Sequence, residues 1–212
     1  HRRLILPQLG APGVAAHEVR KATGFTVRYG PVRAADIPRF LESDLKTSPE
    51  MRIVTFPLGD RLALAPMELR QWGKWGLLIA LVLGLLSGFG SDLYSVDRAS
   101  WGLIRAAALI LGGLLAGAVL TPLLLPWLPG RAFASKGAVA GLLYLGMLIL
   151  PARSFAQVTG WIDLTAALLL APAVASFVAM NFTGSSTFTS LSGVRREMRR
   201  AVPLQTGAAL IG

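Results

Sequence analysis

The chain has 212 residues, 53% of them hydrophobic and 15% charged, with a net charge of +10 and no cysteine. Soluble domains carry about 25% charged residues, so the balance belongs to the membrane class. The absence of cysteine excludes disulfides, thiolate metal sites and a cysteine nucleophile within these residues. His1 and His17 are the only histidines, too few for a histidine-built metal site. A strongly basic soluble protein would suggest nucleic acid. Here the positive excess sits mainly in short loops beside apolar runs, where membrane topology explains it, so no nucleic-acid partner is expected.

The first third reads as α/β. Leu4-Ile5-Leu6 is a short apolar run ended by Pro7, the pattern of a buried strand. Gln8 to Gly13 is rich in turn residues, and a helix is predicted to follow with Pro12 in its first turn. Ala15, Val19 and Ala22 share one face of that helix and Gly24 suits the position just past its end, while His17 lies off the face as a surface residue. Phe25 to Tyr29 alternates like a strand and stops at Gly30-Pro31. A second helix is predicted over Ala34 to Leu41, then a hairpin pairing Ile53–Phe56 with Leu62–Leu64 around Gly59-Asp60. Strand, helix, strand, helix suggests part of a Rossmann-like domain in residues 1–71. That length is small for such a fold, and the chain opens at His1 and stops at Gly212 inside an apolar run, so truncation at both ends is expected.

Residues 72–212 read as a transmembrane helix bundle with four spans and the start of a fifth. The spans are predicted at Trp75–Gly90, Ala106–Leu125, Gly137–Leu150 and Leu164–Phe182, with Pro172 kinking the last, and the fifth begins at Val202. Trp72, Lys74 and Trp75 are expected to anchor the first span at the membrane interface. Loop charges alternate at every crossing. The first loop holds Asp92 and Asp97 against Arg98, net −1; the second holds Arg131 and Lys136, net +2. The third balances Arg153 with Asp163, and the fourth sets Arg195, Arg196, Arg199 and Arg200 against Glu197, net +3. The positive-inside rule therefore places residues 1–71 and the second and fourth loops in the cytoplasm, and the protein in the cytoplasmic (inner) membrane.

Within the spans, Gly84/Gly88, Gly113/Gly117 and Gly137/Gly141 are small-xxx-small pairs that favour close helix packing, more often in a bundle than in a specific dimer. Arg105 is expected to snorkel from the outer end of the second span. The hydroxyl- and glycine-rich stretch from Asn181 to Gly193 reads as a solvated turn, or as a surface that docks a partner or polar ligand. The loop Gly10-Ala11-Pro12-Gly13 differs in kind. A loop after a strand at the carboxyl edge of a parallel sheet is where such folds bind cofactors, and its small residues let backbone approach a large flat ligand. It is neither GxGxxG nor a Walker loop.

Several runs carry a resemblance: His1 to Val19, Tyr29 to Pro38, Thr47 to Arg52, and Met180 to Gly184 with Thr187 to Val194. Together they resemble the mercury-methylation corrinoid family HgcA over essentially the whole chain. A more distant similarity is to the corrinoid domain in the large subunit of the corrinoid iron–sulfur protein of the acetyl-CoA pathway. The resemblance implies a cytoplasmic Rossmann-like domain that holds a cobalt corrinoid (a cobalamin-type cofactor), followed by a five-helix membrane domain. It implies a membrane-anchored methyltransferase passing a methyl group from cobalt to Hg(II), with a ferredoxin-like iron–sulfur partner, HgcB, a methyl-donor methyltransferase and membrane lipid as partners. The cofactor-binding residues it implies are Gln8, Leu9, Gly10, Ala11, Pro12, Gly13, Val14, Gly30 and Pro31. No metal ligand or catalytic residue is assigned here. The family's axial cysteine lies in a cap helix upstream of the strand at which this chain begins, and the chain alone is expected to be inactive. A related corrinoid methyl carrier of one-carbon metabolism and a non-enzymatic membrane anchor remain the alternative readings.

Overall fold

A computed structural model describes residues 2–53, 57–91, 93–150, 160–185 and 191–212. The protein is mostly helical, with a small parallel strand pair near the N-terminus. It divides into two compact units, residues 1–56 and 57–212.

The first unit begins with β1 (Arg3–Leu6), α1 (Ala16–Thr23) and β2 (Thr26–Tyr29). The strands pair in parallel, Arg3 opposite Thr26 through Leu6 opposite Tyr29. Gly24 ends α1 as expected: its φ of 72° is the left-handed conformation that a C′ glycine adopts without steric cost. Pro12 is not in this helix. It sits in a separate 3-10 turn over Gln8–Gly13, and α1 starts only at Ala16. Gly10 and Gly13, close to Pro12 in sequence, favour a turn over continued helix. The second helix, α2 (Ile37–Glu42), follows a 3-10 turn at Ala34–Asp36. Its Phe40 is buried with Val32, Met51 and Pro31, forming the small core at the carboxyl end of the strands.

The predicted hairpin at 53–64 is not formed as drawn. Leu58–Leu62 is a helix, α3, so Leu62 to Leu64 is no strand; residues 54–56 lie outside the described ones. Pro57 supplies the extended residue ahead of α3, and Arg61 on that helix donates to the Pro122 carbonyl at 2.9 Å. Residues 57–71, read from sequence as the end of the first domain, thus pack with the helical unit.

That unit contains α4 (Ala65–Leu86), a short hairpin of β3 (Phe89–Gly90) and β4 (Leu93–Tyr94), α5 (Val96–Leu115), α6 (Thr121–Leu124), α7 (Phe133–Ile149), α8 (Trp161–Ser185) and α9 (Leu191–Ile211). Among the described residues, three stretches, Leu58–Leu86, Val96–Leu124 and Trp161–Thr183, are long and apolar enough to cross a membrane. The helix Phe133–Ile149 is apolar but shorter.

Several predicted bounds move. The first span ends at Leu86, because Phe89-Gly90 turns into the hairpin. The second starts at Val96, where Ser95 caps the helix by accepting from the Arg98 N–H at 3.4 Å. A single π-helical turn at Ala116–Leu120 joins α5 to α6 ahead of Pro122, whose missing N–H disrupts the regular ladder. The buried Thr121 hydroxyl donates to the Ala116 carbonyl at 2.9 Å and stabilises that turn.

The largest change is at the fourth loop. Leu191 to Ile211 is one continuous helix, so the arginine-rich segment is helical rather than a loop. Arg, Met and Glu are good helix formers, and residues 195–200 consist of nothing else.

Small side chains line the helix crossings at α8, beside larger buried residues such as Ile110, Leu114, Val178 and Phe182. Ala171, Ala175 and Ala179 form an i, i+4 stripe along α8, and each is fully or almost fully buried. Gly113 of α5, Gly117 in the π-helical turn and the glycine pair of α7 lie against α8. A Cβ on Gly117 would stand 2.6 Å from the Ala175 carbonyl oxygen, and one on Gly141 2.7 Å from the Pro172 Cα. On α4, Gly84 meets the Leu103 backbone of α5 in the same way, at 2.6 Å. These glycines are used for packing within one chain, in keeping with the bundle reading.

The outer face of α4 carries Leu77, Leu78, Ile79, Leu81, Val82, Leu85 and Leu86 largely exposed. So long an apolar face suits acyl chains and not water. Trp75 is exposed with the Lys74 ammonium 5.6 Å from its ring centre, as an interfacial pair. Trp72 is partly buried. It packs edge-on against Phe177 of α8, ring centres 4.8 Å apart.

Candidate functional site

The site the sequence singles out lies at the carboxyl edge of the parallel pair. β1 delivers the chain to Pro7 and the 3-10 turn Gln8–Gly13, while β2 delivers it to Gly30-Pro31. Backbone hydrogen bonds lock these two exits together. The Gln8 N–H donates to the Pro31 carbonyl at 2.8 Å, the Leu9 N–H to the Val32 carbonyl at 3.4 Å, and the Gly30 N–H to the Leu6 carbonyl at 2.9 Å. At the far end of the turn, the Tyr29 hydroxyl donates to the Val14 carbonyl at 2.6 Å. Every expected cofactor-binding residue from Gln8 to Val14, with Gly30 and Pro31, therefore falls in one patch.

Within the patch the residues divide by exposure. Gln8, Leu9, Pro12 and Gly13 are exposed; Gly10, Ala11 and Val14 are partly so. A Cβ on Gly13 would meet nothing within 4 Å, and one on Gly10 only the Pro7 ring at 3.9 Å. These two glycines leave room above the turn instead of relieving crowding below it. Gly30 and Pro31 are buried. A Cβ on Gly30 would come within 3.1 Å of Phe40 and 3.4 Å of Ile5, so this glycine seats Phe40 beneath the turn. Gly30 and Pro31 position the turn, and its residues 8–14 offer the surface.

The helical unit holds polar contacts that sequence reading did not pair. The Ala134 N–H donates to the Glu197 carboxylate at 2.6 Å, and the buried Thr183 hydroxyl donates to its other oxygen at 3.2 Å. The Asn181 amide donates to Glu68 at 2.8 Å, and the Gln205 amide to the Ser176 hydroxyl at 2.8 Å. Asn181 and Thr183 thus belong to α8 and face its neighbours, so the start of the hydroxyl-rich stretch is no solvated turn; residues 186–190 lie outside the described ones. The available signal was a set of lone polar residues in otherwise apolar helices, which need partners when buried.

These contacts also order the bundle. Arg61 and Glu68, the Pro122 carbonyl, Ala134, Thr183 and Glu197 meet at one end, which groups the start of α4 with the second and fourth loops. The pair between Arg105 and Asp163, 3.5 Å apart and about 40% exposed on each side, joins α5 to the start of α8. Arg105 therefore has an acidic partner rather than lipid headgroups alone. A pair this exposed contributes little to stability, within about 1 kcal/mol.

Comparison with known proteins gives no match to a family model, to a curated protein or to a solved structure.

Proposed function

We propose that this chain is the corrin-cradling and membrane-anchoring part of a corrinoid-dependent methyltransferase that forms methylmercury from Hg(II). The observation that carries the reading is the patch at residues 8–14. It lies at the carboxyl edge of a parallel strand pair, where open α/β folds place cofactors, and two glycines leave the space above it open. The residues fit a flat macrocycle: Gly10 and Gly13 allow close approach of backbone, and Leu9 and Pro12 offer exposed apolar surface.

A bound corrinoid supplies the cobalt–methyl chemistry. The chain's own part is to hold and orient the ring. Gln8 to Val14 form the contact surface, Gly30-Pro31 and Phe40 fix that surface from below, and Tyr29 ties its far end to β2. These residues contain no cysteine and so supply no thiolate to a bound corrinoid. In this reading the first unit belongs to a Rossmann-like domain on the cytoplasmic side of the inner membrane. There it meets the ferredoxin-like partner and the methyl donor.

Gly13→Val in the intact protein tests the cradle. Nothing in the chain lies within 4 Å of the new side chain, so folding and membrane insertion are expected to be unchanged. Corrinoid retention, read from visible absorbance of the purified protein, is expected to fall at least tenfold, about 1.4 kcal/mol. Full corrinoid absorbance in a well-folded Gly13→Val protein would remove the patch from the site.

A further inference from the structure

The helical unit contains a cavity of about 600 Å³ between the start of α7, the middle of α8 and α9. Its two ends differ in chemistry. At the mouth stand Arg131, Arg196 and Arg200. Arg196 and Arg200 are four residues apart on α9 and so share one face, and all three arginines are exposed. Glu197 is the carboxylate among the described lining residues, and both its oxygens accept hydrogen bonds, from Ala134 and Thr183. Three arginines against one carboxylate leave the mouth at +2.

Further in, the walls are apolar. Leu168 and Leu204 are 46% and 74% exposed, so the cavity is a groove open along the surface that the apolar helices present to lipid. On its floor the Gln205 side chain is 9% exposed and its Oε1 meets no donor among the described residues, while its Nε2 donates to Ser176. Turning the amide over exchanges the two arms and again leaves one without a partner. A buried polar group in that state costs about 1–3 kcal/mol and calls for a ligand or solvent to satisfy it.

A basic mouth, a polar group below it and an open apolar groove match the sequence of groups along an anionic glycerolipid. We propose that this groove binds one anionic phospholipid of the surrounding bilayer. The phosphate sits among Arg131, Arg196 and Arg200, and an acyl chain runs between Leu168 and Leu204. The glycerol ester region meets the free arm of Gln205. Arg200 and Gln205 are separated by about 7.5 Å of helix rise, a span that the glycerol bridges. Basic pockets between membrane helices on the cytoplasmic side are suited to such headgroups. The groove lies at the bundle end that the loop charges assign to the cytoplasm, and the proposal does not depend on the corrinoid reading.

Native mass spectrometry of the intact protein in neutral detergent tests it, with phosphatidylglycerol, phosphatidylcholine and the water-soluble glycerol 3-phosphate as probes. Phosphatidylglycerol is expected to be retained at least tenfold better than phosphatidylcholine, and glycerol 3-phosphate hardly at all. Arg196→Ala with Arg200→Ala is expected to weaken retention about fivefold per arginine, whereas the paired lysine substitutions keep most of it. Gln205→Leu is expected to lower retention while leaving the thermal transition intact, which a purely structural glutamine would not do. Equal retention of the two lipids overturns the proposal, as does unchanged binding in the double alanine variant. Failure to bind any lipid, as when the chain itself fills the groove, also overturns it, and binding of glycerol 3-phosphate as tight as that of the lipid assigns the mouth to a soluble anion instead.

Discussion

Leucine at Gly117 or Gly137 is expected to destabilise the helical unit by about 3 kcal/mol, the upper end for volume forced into a packed interior. The reason is the nature of the neighbours. Even a Cβ at Gly117 would stand 2.6 Å from the Ala175 carbonyl oxygen and 3.1 Å from its Cα, and one at Gly137 2.6 Å from that same oxygen and 2.8 Å from the Ser176 Cα. Backbone atoms of α8 cannot swing aside as a side chain can, so the helices must separate. Separation uncovers Ala175 and Ala179, which carry little apolar surface of their own and contribute through close approach. Gly146→Ala is the internal control. Nothing lies within 4 Å of its Cβ position, and alanine in a helix is expected to be neutral or to stabilise by up to about 1 kcal/mol. Thermal unfolding of the intact protein in detergent separates the two classes. A Gly117→Leu protein that unfolds at the parent temperature would contradict the close approach of the π-helical turn to α8.

Glu197→Ala is expected to cost about 2–3 kcal/mol, most of it at the start of α7. That helix begins after Ala132, which has no side-chain acceptor for the first-turn N–H groups. Glu197, from α9, supplies one: its carboxylate accepts from Ala134 at 2.6 Å and from the buried Thr183 hydroxyl at 3.2 Å. A negative charge at a helix N-terminus also opposes the positive end of the helix dipole. Removing it takes the acceptor from the Ala134 N–H and one partner from the Thr183 hydroxyl, and unties α9 from α7 and α8. Glu197→Gln keeps one acceptor oxygen and loses the charge, so a smaller cost of about 1 kcal/mol is expected. Hydrogen exchange at Ala134 in the intact protein reads the effect locally. Unchanged protection there in Glu197→Ala would show that the cap is not made.

Elements with strong local signals were legible in the sequence. Leu4–Leu6 and Thr26–Tyr29 formed strands as their apolar and alternating patterns suggest, though Leu4 is exposed rather than buried, and Gly24 ended α1 because glycine takes its conformation cheaply. The long apolar helices were legible as apolar runs, but their ends were not. Val96–Ile104 lies outside the predicted span because Asp97, Arg98 and Arg105 dilute the hydropathy, yet the Ser95 cap starts the helix there. The arginines of residues 195–200 read as a cytoplasmic loop by charge but form helix, as their propensity favours. The 53–64 hairpin failed for a related reason. Gly59-Asp60 is as good in the first turn of a short helix after Pro57 as in a tight turn, and tertiary contact through Arg61 decides between them. Of the candidate site, the turn at residues 8–14 was visible as composition. That Gly10 and Gly13 face open space while Gly30 faces Phe40 was not, because three glycines read alike until their neighbours are placed.

The most direct measurement is methyl transfer by the intact protein in its membrane, loaded with a methylated corrinoid and given Hg(II). The expected result is methylmercury in step with loss of the cobalt–methyl absorbance, and much less of both in Gly13→Val. Normal membrane insertion with no corrinoid retained, or corrinoid retained with no methyl reaching mercury, would contradict the proposed function.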